Sequence, residues 1–209
     1  MTEVNGNINM KRFKDYIINE WKLTNDSDVE IKKIKPESYN ELRDIVVYRY
    51  EKNNKNLDLR DIDVSNITSF GDLYEGDSQT TLKYGHVYGL FCILDKVETI
   101  NILGWKPKNL FNTVNMFLGC TNLKNIIGIE TLNMSNTIEM ANMFRQCENL
   151  EKLDVSKWNL PTTILTAHGE FYGCKKLKNI KGIENWKSIR FKRNECMFGD
   201  CPAKPTWYK

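Results

Sequence analysis

Apolar residues near the start of the chain recur at helical spacing. Met10, Phe13, Ile17 and Trp21 follow one another at three- and four-residue steps, with Lys11, Lys14, Asp15 and Glu20 between them. The pattern predicts a short amphipathic helix over residues 8–22 with a docking stripe. Residues 23–37 are polar and reach Pro36, a connector with one strand expected around Val29–Ile34. A second helix is marked by Ser38 and Glu41, the spacing of a capping box, which satisfies orphan backbone donors at a helix start. Leu42, Ile45, Val46 and Arg49 continue it on one face, and it dissolves in Lys52-Asn53-Asn54-Lys55-Asn56. That polar run divides the chain into an N-terminal portion, residues 1–54, and a second portion, residues 55–209.

In the second portion the pattern changes period. Cys120, Cys147, Cys174 and Cys201 are each 27 residues apart, and Phe117, Phe144, Phe171 and Phe198 keep step. Three segments, MFLGCTNLKNI, MFRQCENLEKL and EFYGCKKLKNI, begin at Met116, Met143 and Glu170. A degenerate copy precedes them at Leu90-Phe91. A fourth, MFGDCPAKP, keeps Phe198 and Cys201 but carries Pro202 and Pro205, so it reads as a cap finished by Trp207 and Tyr208. Large apolar residues follow at Trp105, Leu132, Trp158 and Trp186, and Gly128-Ile129-Glu130 returns as Gly182-Ile183-Glu184 two periods later. One unit cannot bury its Phe, Cys, Leu and Ile alone. Stacked units can, at about 1.5–3 kcal/mol for each large side chain withdrawn from water.

Composition adds little to this. Hydrophobic residues at 41% and charged residues at 27% are globular values that argue against wholesale disorder. The net charge of +3 is too small to imply nucleic acid by itself. Its distribution is uneven: residues 145–209 hold thirteen Lys and Arg against seven Asp and Glu. Six cysteines lack the C-x-x-C spacing of a zinc or redox site, so in-register free thiols are expected. No stretch approaches the ~18 apolar residues of a membrane-spanning helix. Without a secretory leader, a cytoplasmic location is the default expectation, with virion-associated or exported forms as the other candidates.

Catalytic and metal motifs are missing. His86 and His168 are the only histidines and fall in different units. There is no phosphate-binding glycine loop, nucleophile elbow or H-E-x-x-H. Asp58, Asp61 and Asp63 form an acidic cluster, but without the glycine and distal glutamate of a calcium loop they are read as turn caps. Arg190, Lys192 and Arg193 alternate around Phe191 as a charged edge that could meet a phosphate or an acidic protein. No cofactor or metal is expected.

The phrase M-F-x-x-C-x-x-L-x-x-L/I with a Trp-containing spacer resembles the BspA-like leucine-rich-repeat proteins, a bacterial family also represented in gut phages. The opening D-L-R-D-I-D-V-S-N-I-T (Asp58–Thr68) and the closing C-P-A-K-P-T-W-Y (Cys201–Tyr208) are similar to the family's usual ends, so the likeness covers residues 38–209. The expected fold class is an α+β repeat: a leucine-rich-repeat solenoid of about 27-residue units with a helical N-terminal appendage. The resemblance implies binding of a protein or a surface, and no enzymatic activity. The expected function is a non-enzymatic protein-binding module. The alternatives are a structural or accessory component of a phage particle or mobile element, or an adhesin exported without a leader. A protein partner of unknown identity is expected, a glycan is the other candidate, and nucleic acid is not expected. Candidate contact residues are the variable strand positions Lys124, Asn125, Glu151, Lys152, Lys178 and Asn179, with Trp158 and Trp186 as candidate anchors, although tryptophans at repeat-matched positions are more often a packed ladder.

Overall fold

The structure, a computed structural model, describes residues 33–71, 89–92 and 94–209. The helix expected at residues 8–22 lies outside the described residues, as does most of the strand expected at Val29–Ile34. Of that strand, Ile34 makes a parallel bridge to Ile62. Residues 33–209 form one compact unit.

Helix α1, Tyr39–Lys52, starts where the capping residues place it. Ser38 Oγ accepts from the Glu41 backbone N–H at 3.2 Å. The reciprocal bond reaches one residue further out than in the standard box, with Glu41 Oε2 accepting from Glu37 N–H at 2.8 Å. Leu42, Ile45 and Val46 are wholly buried, and α1 packs on strand β1, Asn56–Asp58. Arg43 is buried with them and donates to the carbonyl oxygen of Leu90. This helix is therefore part of the core, not an appendage to it.

The other strands are β2 (Thr99–Asn101), β3 (Asn125–Ile127), β4 (Lys152–Asp154), β5 (Thr163–Ile164), β6 (Asn179–Lys181) and β7 (Arg190–Phe191). A leucine-rich-repeat solenoid would join one strand per unit into a continuous parallel sheet. The described residues do otherwise, and the expected fold class is corrected on this point. Three separate small parallel sheets form, ordered β1-β2-β3, β4-β6 and β5-β7. Between β3 and β4 the ladder is interrupted. Beyond these sheets the pairing consists of isolated bridges, such as Asn112 to Glu139 and Glu139 to Thr166.

The interruption coincides with the Gly-Ile-Glu motif. β3 and β6 are the last strands of their sheets, and each runs straight into a left-handed glycine, Gly128 (φ 91°) or Gly182 (φ 90°). A 3₁₀ turn follows each, at Ile129–Thr131 and Ile183–Ser188. The glycine takes the backbone out of extended geometry after three residues, and it backs directly onto the neighbouring unit. A Cβ at Gly182 would lie 2.4 Å from Ser156 Cα, and one at Gly128 would lie 2.5 Å from Leu103 Cα. Gly182→Ala is accordingly expected to destabilise by at least about 1–2 kcal/mol, the cost of a left-handed non-glycine residue before the collision is added. A lowered urea midpoint at unchanged slope would register it.

The side chains and the backbone bonds beside them keep the repeat register across the break in the sheet, as in Phe117 N–H to Met143 O and Phe144 N–H to Glu170 O. Phe91, Phe117, Phe144, Phe171 and Phe198 stack ring on ring, with successive centroids 5.0, 5.4, 5.6 and 5.1 Å apart. A thiol column runs beside them. Cys120 Sγ donates to Phe91 O at 3.0 Å, Cys147 to Phe117 O at 3.3 Å, and Cys174 to Phe144 O at 3.0 Å. At the C-terminal end Trp207 and Tyr208 meet the Phe198 ring edge-on. Tyr208 Oη also donates to Asn194 O at 2.7 Å and accepts from Met197 N–H at 3.0 Å. The terminal segment thus closes the phenylalanine column.

Candidate interaction surface

In β1, β2, β4 and β6 the central aliphatic residue turns inward and its strand neighbours are more open, because alternate residues of a strand face opposite ways, whereas Leu103 and Ile127 stay exposed at 47% and 45%. Lys124, Asn125, Glu151, Lys152, Lys178 and Asn179 are all exposed. Parallel pairing sets Lys152 beside Asn179 across β4 and β6. The Lys178 N–H donates to Glu151 O at 3.0 Å, so these two positions are also neighbours.

Unlike charges pair from one unit to the next. Glu98 accepts from Lys124 at 2.8 Å and meets Lys55 at 3.3 Å, and its carboxyl is held below the usual range first by the Lys124 hydrogen bond. Lys175 meets Glu148 at 2.9 Å, and Lys181 meets Asp154 at 2.8 Å. The Lys181 bond is the chief reason that the Asp154 carboxyl is held down to about 2, with Ser156 assisting. Exposed pairs of this kind add little stability. Their effect is to occupy charge. Lys124 is thereby engaged within the molecule, whereas Lys152 and Lys178 form no ion pair among the described residues.

Trp158 and Trp186 are not surface anchors. They are 5% and 1% exposed, lie 6.2 Å apart, and pack against Phe144 and Phe171 respectively. With both rings taken by neighbours, neither offers a platform for a sugar ring. Trp158 Nε1 donates to Ile129 O at 2.9 Å, and Trp105 Nε1 donates to Leu59 O at 2.8 Å. Trp186 Nε1 is buried without an acceptor. Both indoles line a cleft of about 410 Å³ together with residues that include Ser156, Lys157, Asn159, Thr162, Asn185 and Ser188. None of these polar lining residues carries a motif, so spacing along the chain gave no sign of them.

The acidic cluster is consumed internally. Asp61 takes a two-pronged contact from Arg49 at 2.7 Å for both bonds, Asp58 accepts from Arg60, and Asp63 caps the Ser65 N–H at 2.9 Å. No group of three or more His, Cys, Asp or Glu among the described residues is arranged to hold a metal ion. His86 lies outside the described residues. His168 is partly buried, and desolvation, followed by the Arg193 charge, pushes its pKa down. Burial pushes the thiols of Cys120, Cys147 and Cys174 well up and that of Cys201 up to about 11. These cysteines stay protonated as donors and fillers, since nucleophilic or metal-binding work needs the thiolate.

Glu170 stands where the other units place methionine, beside Phe171, and it is wholly buried. Its Oε2 accepts from Met143 N–H at 3.3 Å, while Oε1 has no partner. Burial raises its pKa well above the usual carboxylate range. The sequence signal for it was its presence in a methionine slot.

Residues 86–206 match the family described as "Mycoplasma protein of unknown function, DUF285". The chain belongs to the DUF285 family. No curated protein and no solved structure matches it. The DUF285 span takes in β2 through β7, the whole cysteine column and the tryptophan-lined cleft, and it leaves α1 and β1 outside. Among the described residues of this DUF285 chain, no helix is long and apolar enough to cross a membrane.

Proposed function

We propose that this DUF285 chain is a non-enzymatic protein-binding module that presents polar strand positions on a rigidly stacked core. One observation carries the reading. Lys152 and Lys178 are exposed on adjoining units and form no ion pair among the described residues, while Lys124, Lys175 and Lys181 are engaged with carboxylates. Long cations held on a stiff frame at fixed separation are suited to recognising a macromolecular surface. The resemblance to BspA-like proteins supports the same role, as does the burial of the cysteine column, which pushes its thiols away from the nucleophilic thiolate form.

The double variant Lys152→Glu/Lys178→Glu is expected to reduce capture of the partner at least about tenfold. Its melting temperature should stay within about 2 °C of the parent, because exposed charges contribute little to stability. Undiminished capture by a folded double variant would refute this face. Lys124→Glu should instead be felt as a local repulsion with Glu98 and reduce capture less.

A further inference from the structure

The charge of the last complete unit differs from that of its predecessor. Residues 175–193 carry eight Lys and Arg against a single acidic residue, Glu184. The corresponding segment one period earlier, residues 148–166, carries two lysines against three acidic residues. Of the eight cations, Lys175 and Lys181 are ion-paired and Lys176 donates to Asn149 Oδ1 at 2.6 Å. Lys178, Lys187, Arg190, Lys192 and Arg193 are exposed and form no ion pair among the described residues.

The same unit carries an open strand edge. In the β5-β7 sheet, β7 is the outer strand. Arg190 N–H donates inward to Thr162 O at 2.9 Å, and Lys192 N–H donates inward to Ile164 O at 3.0 Å. In a parallel ladder the intervening residue addresses its backbone groups to the opposite side. The N–H and C=O of Phe191 therefore face away from β5, where no strand pairs with them among the described residues. The terminal segment closes over Phe198 and bonds to Asn194 and Met197, so it caps the ring column and adds no strand to β7.

An open edge invites a strand, and the charges select which strand. A second copy of this chain would bring its own Lys187, Arg190, Lys192 and Arg193 to the same edge and be repelled. An acidic segment would be attracted. Resting on the binding-module reading, we propose that the outer edge of β7 with its basic flank binds an extended acidic segment of a partner protein, adding it as a further strand. Backbone pairing at Phe191 supplies alignment, and Lys187, Arg190, Lys192 and Arg193 meet carboxylates on the incoming side chains. Nucleic acid could satisfy the charges but would make no use of the strand edge.

The test uses the full chain and defined probes. A fluorescent Glu-Val-Glu-Val-Glu-Val peptide is expected to bind, with affinity falling as salt rises. Its Lys-Val counterpart should not bind, and methylating alternate backbone nitrogens of the acidic peptide should weaken it at least about tenfold, since that removes ladder donors. Arg190→Glu/Lys192→Glu should lose binding to a similar extent at unchanged melting temperature. Should that pair perturb folding, Lys187→Ala/Arg193→Ala provides the same readout with a smaller loss. Indifference to backbone methylation, tighter binding of an oligothymidylate of matched charge, or self-association through β7 would each overturn the proposal. Failure of the peptide alongside intact sensitivity of partner capture to Lys152→Glu/Lys178→Glu would sink this inference alone. Loss of that sensitivity as well would remove the binding-module reading.

Discussion

Replacing Phe144 with alanine is expected to lower stability by about 3–5 kcal/mol, the range for deleting a buried aromatic ring. Phe144 is the middle ring of the column, stacked on Phe117 at 5.4 Å and on Phe171 at 5.6 Å, with Trp158 at 6.5 Å on its flank. The cavity would open between units that no sheet joins from β3 to β4, and that backbone bonds such as Phe117 N–H to Met143 O at 2.8 Å and Phe144 N–H to Glu170 O at 3.0 Å still hold together. Thermal unfolding should move down by about 6–20 °C, at about 2–4 °C per kcal/mol for a chain of this size. Phe198→Ala at the end of the column should cost less, since that ring has one column neighbour and its other contacts are edge-on. Equal losses at the two positions would show that the rings act as separate fillers and not as a stack.

The second large effect has the opposite sign. Glu170→Met should stabilise the protein by at least about 1–3 kcal/mol at pH 7, the cost of a buried polar atom left without a partner. Methionine already fills this slot at Met116, Met143 and Met197. Removing the carboxylate leaves no new orphan, because Met143 N–H also donates to Met140 O at 3.3 Å. The pH dependence follows from the raised pKa of Glu170, which burial causes. In acid, below its ordinary value of 4.5, the group is protonated in both folded and unfolded chains and contributes no slope. Above that value the unfolded chain releases the proton and the folded chain retains it, so stability falls as pH rises. The slope reaches up to about 1.4 kcal/mol per pH unit until the folded carboxyl also ionises. Melting curves between pH 4 and pH 8 should therefore converge in acid and diverge in base for the parent and Glu170→Met. Parallel curves, or a less stable variant at pH 7, would contradict this account.

These two positions bear on what could be read in advance. The phenylalanine and cysteine columns were legible because a side chain repeated at a constant interval has one inexpensive way to be buried, against its own copies. Helix α1 was legible down to its first hydrogen bond, since the Ser38 and Glu41 spacing is a local chemical signal. Trp158 and Trp186 are core, as their repeat-matched spacing suggests, and not the anchors that tryptophan's enrichment at interfaces also allows, because that enrichment does not distinguish an exposed ring from a stacked one. Lys124 was grouped with Lys152 and Lys178. Only a carboxylate 26 residues away on the adjoining unit separates it from them.

The chain by itself determined the phenylalanine and cysteine columns of the interior: periodicity is a property of sequence, and burial of matched apolar side chains follows from it. The tertiary structure alone decided how the backbone joins up around them. Sheet continuity depends on hydrogen bonds between residues about 27 apart. β3 and β6 each end at a left-handed glycine, while β1, β2 and β4 reach the same three-residue length without one. Among the described residues the same dependence on neighbours decided which lysines form ion pairs and which strands pair, since charge pairing and strand pairing are both fixed by what comes alongside.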